Sequence, residues 1–228
     1  LSIVYSCTKA ATALCAHLLV DRGQLNLNAP VGDYWPEYAC NGKENTTVLM
    51  MLNHAAGVPA FHNPIKQGGM LDWDYTVDRI AKEEPWWEPG TRNGYHPIMF
   101  GWTVGELVKR ISGKSLGTFF REELAEPMGA DFWIGLPEEL EARVAPMIAY
   151  KPEPGTQLSP FTMKMIGEPD SLQGKSFTNN GGLNFNARET HAAELGGAGG
   201  IANARAMAKL FMCLSPSQPI EMFSRDRI

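Results

Sequence analysis

One segment near the start of the chain constrains the rest. Residues 6–22 carry Ala11, Leu14, Cys15, Leu18 and Leu19 at helical spacing, and Gly23 follows as a left-handed stop. Most of its other positions are small and apolar, among them Ala10 and Ala13. Such a helix draws its stability from packing and not from propensity, so the remaining chain must bury it. The chain has 228 residues, 44% of them hydrophobic. That suffices for one large core, or for two lobes sharing one.

The material available for that core reads as mainly helical. Thr46 or Thr47 can cap a short helix through Leu52, ending near Gly57, and Asp72 or Asp74 can cap one reaching Lys82. Pro97 suits the first position of a helix over 97–112, where Val104, Leu107, Val108 and Ile111 share a face and Gly113 closes. Ser115 caps a helix to about Ala125, before Pro127. Asn203 caps a last one with Met207, Leu210, Phe211 and Leu214 on its buried side. Residues 133–200, rich in Pro, Gly and Asn, read as loops with short irregular elements. Strand signals are sparse: Leu25-Asn26-Leu27 alternates, and Ala145 to Tyr150 reads as an edge strand.

Charge and composition exclude several function classes. The formal net charge is −5 and no basic block exceeds two residues, which argues against nucleic-acid binding. No apolar run approaches the roughly 18 residues of a membrane helix. The longest, Ala10 to Val20, carries His17 and lacks the flanks of a signal peptide. Cys7, Cys15, Cys40 and Cys213 match no zinc or redox spacing and read as reduced, mostly buried thiols, which fits a cytoplasmic protein. His17, His54, His62, His96 and His191 join in no metal-binding pattern, so no metal or cofactor is expected, and each reads as structural or superficial. His96 stands apart because it follows Tyr95 and can line a site.

Two segments can carry chemistry. In Ser6-Cys7-Thr8-Lys9 the serine and lysine side chains share a helix face, so the lysine can meet the hydroxyl it must activate. The small apolar neighbours would desolvate Lys9 and favour its neutral, basic form. The helix start beneath Ser6 offers backbone N–H groups to a developing negative charge. In Pro89-Gly90-Thr91-Arg92-Asn93-Gly94-Tyr95-His96-Pro97, turn residues hold one tyrosine on a tight loop, where a nearby ammonium can draw it toward phenolate. A third segment, Gly196 to Gly200, lacks the lysine and spacing of a phosphate loop and instead lets backbone pass close to a cleft. The G-x-S-x-G elbow of an α/β-hydrolase is absent.

Together these segments resemble the β-lactamase and penicillin-binding-protein superfamily. The likeness runs through Ser6 to Lys9, Asp21 to Val31, Met51 to Pro59, Pro89 to Tyr95 and Gly199 to Arg205, in order and over nearly the whole chain. Within the superfamily the chain is most similar to family VIII carboxylesterases. The lactamases and D,D-peptidases carry an asparagine two places after the tyrosine, where this chain has Pro97, which offers no side-chain amide. The resemblance implies an α+β fold: a mostly antiparallel sheet flanked by helices, plus a helical lobe, with the site between. Residues 1–33 and 200–228 would belong to the sheet-bearing lobe and 34–199 to the helical one. It implies acylation of Ser6, proton transfer through Lys9 and Tyr95, and His96, Gly199 and Gly200 against the substrate, a small carboxylic ester. Alternatives are a β-lactamase or D,D-peptidase, and a catalytically silent, filament-forming relative. Family sheet strands would precede residue 1 and follow residue 228, along with a third motif. The 228 residues alone are therefore expected to be loosely packed and nearly inactive.

Overall fold

The computed structural model describes residues 1–215 and 222–224. The segment singled out above forms α1, Thr8–Asp21, and it is buried on almost every side: Thr8, Lys9, Thr12 and Ala16 are covered along with the apolar stripe. A 3-10 turn over Tyr5–Cys7 leads into it, so Ser6 sits one turn before the helix proper. The helices that cover α1 are α4, Phe100–Ser112, and α5, Leu116–Phe120. Around them lie α2, Val48–Leu52, and α3, Trp73–Lys82. One continuous apolar core joins these elements, with Trp35, Phe61, Trp102, Phe119 and Phe120 among its largest members.

Local chemistry accounts for the boundaries. Thr47 and Asp72 accept from the backbone N–H three residues on, and Ser115 and Asn203 do the same for α5 and for the late helix Ala204–Met212. Gly113 ends α4 at φ 71°, a left-handed value that glycine adopts without strain. Two boundaries and one buried face differ from expectation. Helix α4 begins at Phe100 and not at Pro97, because residues 97–99 turn tightly through 3-10-type bonds such as Gly101 N–H to Ile98 O. The helix from Ser115 changes character at Arg121–Ala125 into one π-helical turn. In the late helix the buried positions are Ala206, Leu210 and Cys213, while Phe211 and Leu214 stay 48% and 40% exposed. The helix is rotated so that Phe211 and Leu214 instead line, with Ala10, Ala13 and Phe223, a cavity beside α1.

A small antiparallel sheet closes one end. Its strands are β1, Ser2–Ile3, β2, Phe132–Trp133, and β3, Ile201–Ala202, in the order β1-β3-β2. Ser2 faces Ala202 and Ile3 faces Ile201; on the other side Phe132 faces Ala202. The two strands expected from sequence are not formed. Gln24 and Leu25 turn their N–H groups back onto Leu19 O, and the Leu27 carbonyl is taken by Leu49 N–H, so 25–27 winds off the end of α1. Residues 145–150 make one backbone bond beside β1, Ala145 N–H to Leu1 O, and leave Ile148 and Tyr150 in solvent. The loop-rich stretch holds three short helices: α6, Pro160–Gly167, α7, Leu172–Thr178, and α8, Arg188–Ala192. The late helix Ala204–Met212 is then α9. The four cysteines are free; Cys15 and Cys213 are buried, Cys40 half-buried and Cys7 exposed.

Candidate active site

The turn that carries Ser6 is clamped at both ends. Val4 N–H donates to Gly200 O at 2.8 Å, and Gly200 N–H donates to Thr8 Oγ1 at 2.8 Å, while Thr8 Oγ1 donates to Tyr5 O. Between these anchors Tyr5 takes φ 44°, a left-handed value unusual for a residue with a side chain. That kink leaves Ser6 exposed while Thr8, two residues on, is fully covered.

Lys9 rises from the first turn of α1 into a nearly closed position, 8% exposed. Its three ammonium donors all find acceptors: Ser6 Oγ at 3.3 Å, Pro97 O at 2.6 Å and Gly197 O at 2.7 Å. Burial lowers its pKa from the ordinary 10.5 to about 8, because a low-dielectric setting disfavours the charged form. A substantial share of free amine at mildly alkaline pH follows. The nitrogen also lies 4.8 Å from the centroid of the Tyr95 ring.

Tyr95 completes the group, with its hydroxyl 2.6 Å from Ser6 Oγ. The sequence motifs thus converge: Ser6, Lys9 and Tyr95 share one point, although Tyr95 is far from Ser6 along the chain. The loop bearing Tyr95 is fixed by Asn93 Nδ2 donating to Asn53 O at 2.6 Å and by Gly94 N–H donating to His54 O at 3.0 Å.

His54, read from sequence as structural or superficial, holds the loop that bears Tyr95. Its backbone carbonyl takes the N–H of Gly94 and its ring Nδ1 takes the N–H of His96 at 3.2 Å, so it holds both neighbours of Tyr95. Its ring lies against Tyr95 at 4.9 Å and Phe100 at 5.2 Å between centroids. Burial, and then the charge of Lys9, lowers its pKa to about 4, which keeps the ring neutral. A single histidine carries no spacing signal that would have revealed this; only its place in the Met51 to Pro59 block pointed to it.

The other residues expected at the substrate are placed differently from the trio. His96 is 2% exposed and uses both ring nitrogens internally: Nε2 accepts from Val58 N–H at 3.1 Å, and Nδ1 faces Gly94 O at 2.6 Å. Those partners fix the neutral Nδ1–H tautomer, and burial lowers the pKa to about 4. Gly199 and Gly200 are buried, with N–H groups bonded to Leu195 O and Thr8 Oγ1. Within the glycine run it is Gly197, through its carbonyl on Lys9, that touches the trio. Among the described residues no cluster of His, Cys, Asp and Glu could hold a metal ion, and no helix is long and apolar enough to cross a membrane.

A helix-rich body with a small antiparallel sheet, and a serine met by a buried lysine and a tyrosine at the head of its central helix, define the β-lactamase and penicillin-binding-protein fold. The beta-lactamase family model matches residues 1–226, and the chain belongs to that family. It is 31% identical over 223 residues to the esterase/beta-lactamase LipL of Mycobacterium tuberculosis, covering 96% of this chain and 52% of the relative. Among solved structures, a penicillin-binding-protein homologue from Caulobacter crescentus superposes with a TM-score of 0.84 at 31% identity, over 99% of this chain and 59% of that one. A family VIII carboxylesterase gives a TM-score of 0.80 at 34% identity, over 98% and 58%. The chain therefore spans about half the length of this curated relative and under two thirds of these solved ones.

Proposed function

We propose that this chain carries the nucleophile and its activating pair for a serine hydrolase of small carboxylic esters. The observation that supports it is the convergence on Ser6 Oγ of the Tyr95 hydroxyl at 2.6 Å and Lys9 Nζ at 3.3 Å. Ser6 Oγ attacks the ester carbonyl carbon while its proton passes to the Lys9–Tyr95 pair. The resulting tetrahedral oxyanion collapses, the C–O bond to the alcohol breaks, and the pair returns the proton to the leaving oxygen. Water then attacks acyl-Ser6 by the same proton route, freeing the acid and the serine. Lys9 Nζ and the Tyr95 hydroxyl both reach Ser6 Oγ, so either can take its proton.

Pro97 favours esters over β-lactams and peptides. It meets Lys9 with its carbonyl and has no side-chain amide to offer a substrate amide. The names of the similar proteins, an esterase/beta-lactamase and a family VIII carboxylesterase, support the same class. In this reading residues 1–33 and 200–228 belong to a sheet-bearing lobe and 34–199 to a helical lobe, except that Phe132–Trp133 pairs with Ile201–Ala202 and so joins the sheet, and neither metal nor cofactor takes part.

Labelling by a fluorophosphonate, followed by peptide mapping, tests the nucleophile. Ser6 is the expected adduct, and Ser6→Ala should abolish labelling and cut hydrolysis of a nitrophenyl ester by about 10³-fold or more. An unlabelled Ser6, or a variant that keeps over a tenth of wild-type kcat, overturns the assignment and favours a silent scaffold. Turnover of a chromogenic cephalosporin faster than of the ester would favour the lactamase alternative.

A further inference from the structure

A cavity of about 210 Å³ opens beside the Tyr95 ring. Pro59, Trp87, Tyr95 and Pro97 form its inner wall, and Phe161, Leu172 and Phe177 form its outer wall. The inner wall belongs to the reactive group itself: the Tyr95 hydroxyl meets Ser6, and the Pro97 carbonyl meets Lys9. Ser6 does not line the cavity itself; the Tyr95 side chain borders both. None of the described residues lining it is charged. Ser176, which also lines it, spends its hydroxyl on Leu172 O at 2.6 Å.

The outer wall is built on fixed backbone. Lys175 Nζ donates to His62 O at 2.6 Å, and Asn179 Nδ2 donates to Phe61 O and Asn63 O while its Oδ1 accepts from Ile65 N–H. These bonds tie α7 to the 61–65 loop. Helix α6 packs on α7, and the Phe161 and Phe177 rings meet edge to face at 5.6 Å. Both rings, like Tyr95, remain partly exposed at the mouth, at 49%, 37% and 49%. Partly exposed aromatic rings around a neutral hollow are costly in water and suit an apolar ligand group.

We infer that this cavity receives one apolar group of the ester, about the size of a phenyl ring or a four- to six-carbon chain. The size follows from volume: an apolar cavity of ~150 Å³ is enough to hold benzene. The inference rests on the reading of Ser6 as the acylated residue. It sets specificity by burial: each methylene taken from water should raise kcat/KM about fourfold until the cavity is full.

Two ester series separate the acyl and alcohol sides. One runs through nitrophenyl acetate, butyrate, hexanoate, phenylacetate and laurate, the other through methyl, butyl and benzyl acetate. In one series kcat/KM should climb at least tenfold from the smallest member to the six-carbon or aromatic one, then fall for laurate where that is the acyl series. Leu172→Trp, which fills the cavity, should bring the favoured ester down to the level of the smallest member and so erase the size preference within that series. Phe177→Ala, which opens it, should move the optimum to a longer group. If Ser6 still takes a fluorophosphonate but neither series shows a size preference, or both variants keep the wild-type preference, the inference is overturned and the hydrolase reading survives. If Ser6 takes no label, both fall together.

Discussion

At the scale of single residues, the unexpected participant is His54. It stands at φ 65° and gives its carbonyl and its ring nitrogen to the two N–H groups that flank Tyr95. Asparagine tolerates that backbone conformation and can accept a hydrogen bond, but it has no ring face for Tyr95 to lie on. His54→Asn should therefore fold normally yet lower kcat by about tenfold, toward the ~10² that an ångström of misplacement can cost, with KM changed less than threefold. An unchanged kcat would show that Tyr95 is set without it. The reactive pair makes a second prediction. Below pH 8 Lys9 is mostly ammonium and above it mostly free amine, so the rate of Ser6 acylation should rise with pH and inflect near 8. Lys9→Met and Tyr95→Phe should each remove most of kcat, and the double variant little more, because the two act as one unit. A flat profile from pH 6 to 9.5, or fully additive losses, would contradict this. That Ser6, Lys9 and Tyr95 meet was legible from the serine and lysine one turn apart together with the resemblance that places the tyrosine loop beside them. His54 was not, since its role exists only once the 53–54 and 93–96 segments meet.

At the scale of elements, one contact links the scaffold to the chemistry. Helix α4 approaches the glycine turn at Gly101, where an added Cβ would fall 2.2 Å from Gly197 N and 2.7 Å from Gly196 C. Both are backbone atoms, so no side-chain rotation relieves the clash. Gly197 O is one of the three Lys9 acceptors, so displacing the turn loosens the lysine. Gly101→Ala should cost ~1–3 kcal/mol, a fall of roughly 2–4 °C in Tm per kcal/mol, and reduce kcat as well. Wild-type Tm and kcat together would mean the turn moves freely. Elements with a strong start signal were readable from sequence: the caps at Thr47, Asp72, Ser115 and Asn203 stand where expected. The strands were not, because Ser2–Ile3 and Phe132–Trp133 are two residues each and exist only by pairing with distant Ile201–Ala202. Ser159 and Ser171 do cap α6 and α7, but surrounding Pro and Gly masked helices that short. For α9 the apolar spacing put Met207, Leu210, Phe211 and Leu214 on the buried side, but tertiary packing buries Ala206, Leu210 and Cys213 instead.

At the scale of the whole molecule, the buried ionisable groups around the site set how stability depends on pH. His96 and His54 both titrate near 4 when folded, against an ordinary 6.5, chiefly because burial disfavours their charged forms. Between these values the unfolded chain binds protons that the folded one refuses, so stability falls as pH drops from 6.5 toward 4. For His96, which is almost fully covered, the shift corresponds to ~3 kcal/mol at the acid end; His54 is only half-buried and contributes less. Lys9 acts in a separate window: folded near 8 and ordinarily 10.5, it adds stability as pH rises from 8 to 10.5 and withholds it at neutral pH. Carboxylates held below their usual range, such as Glu123 beside Lys114 and Arg22, lose their contribution as pH falls below their ordinary 4.5, so the histidines are read above that pH. The thermal midpoint should therefore fall by about 6–12 °C between pH 6.5 and 4.5. His96→Gln can still accept from Val58 N–H and donate to Gly94 O but cannot titrate. It should start from a lower midpoint and show a visibly shallower acid slope. A midpoint that stays constant down to pH 5, or a slope as steep in His96→Gln as in the parent, would show that the buried histidines do not control acid stability.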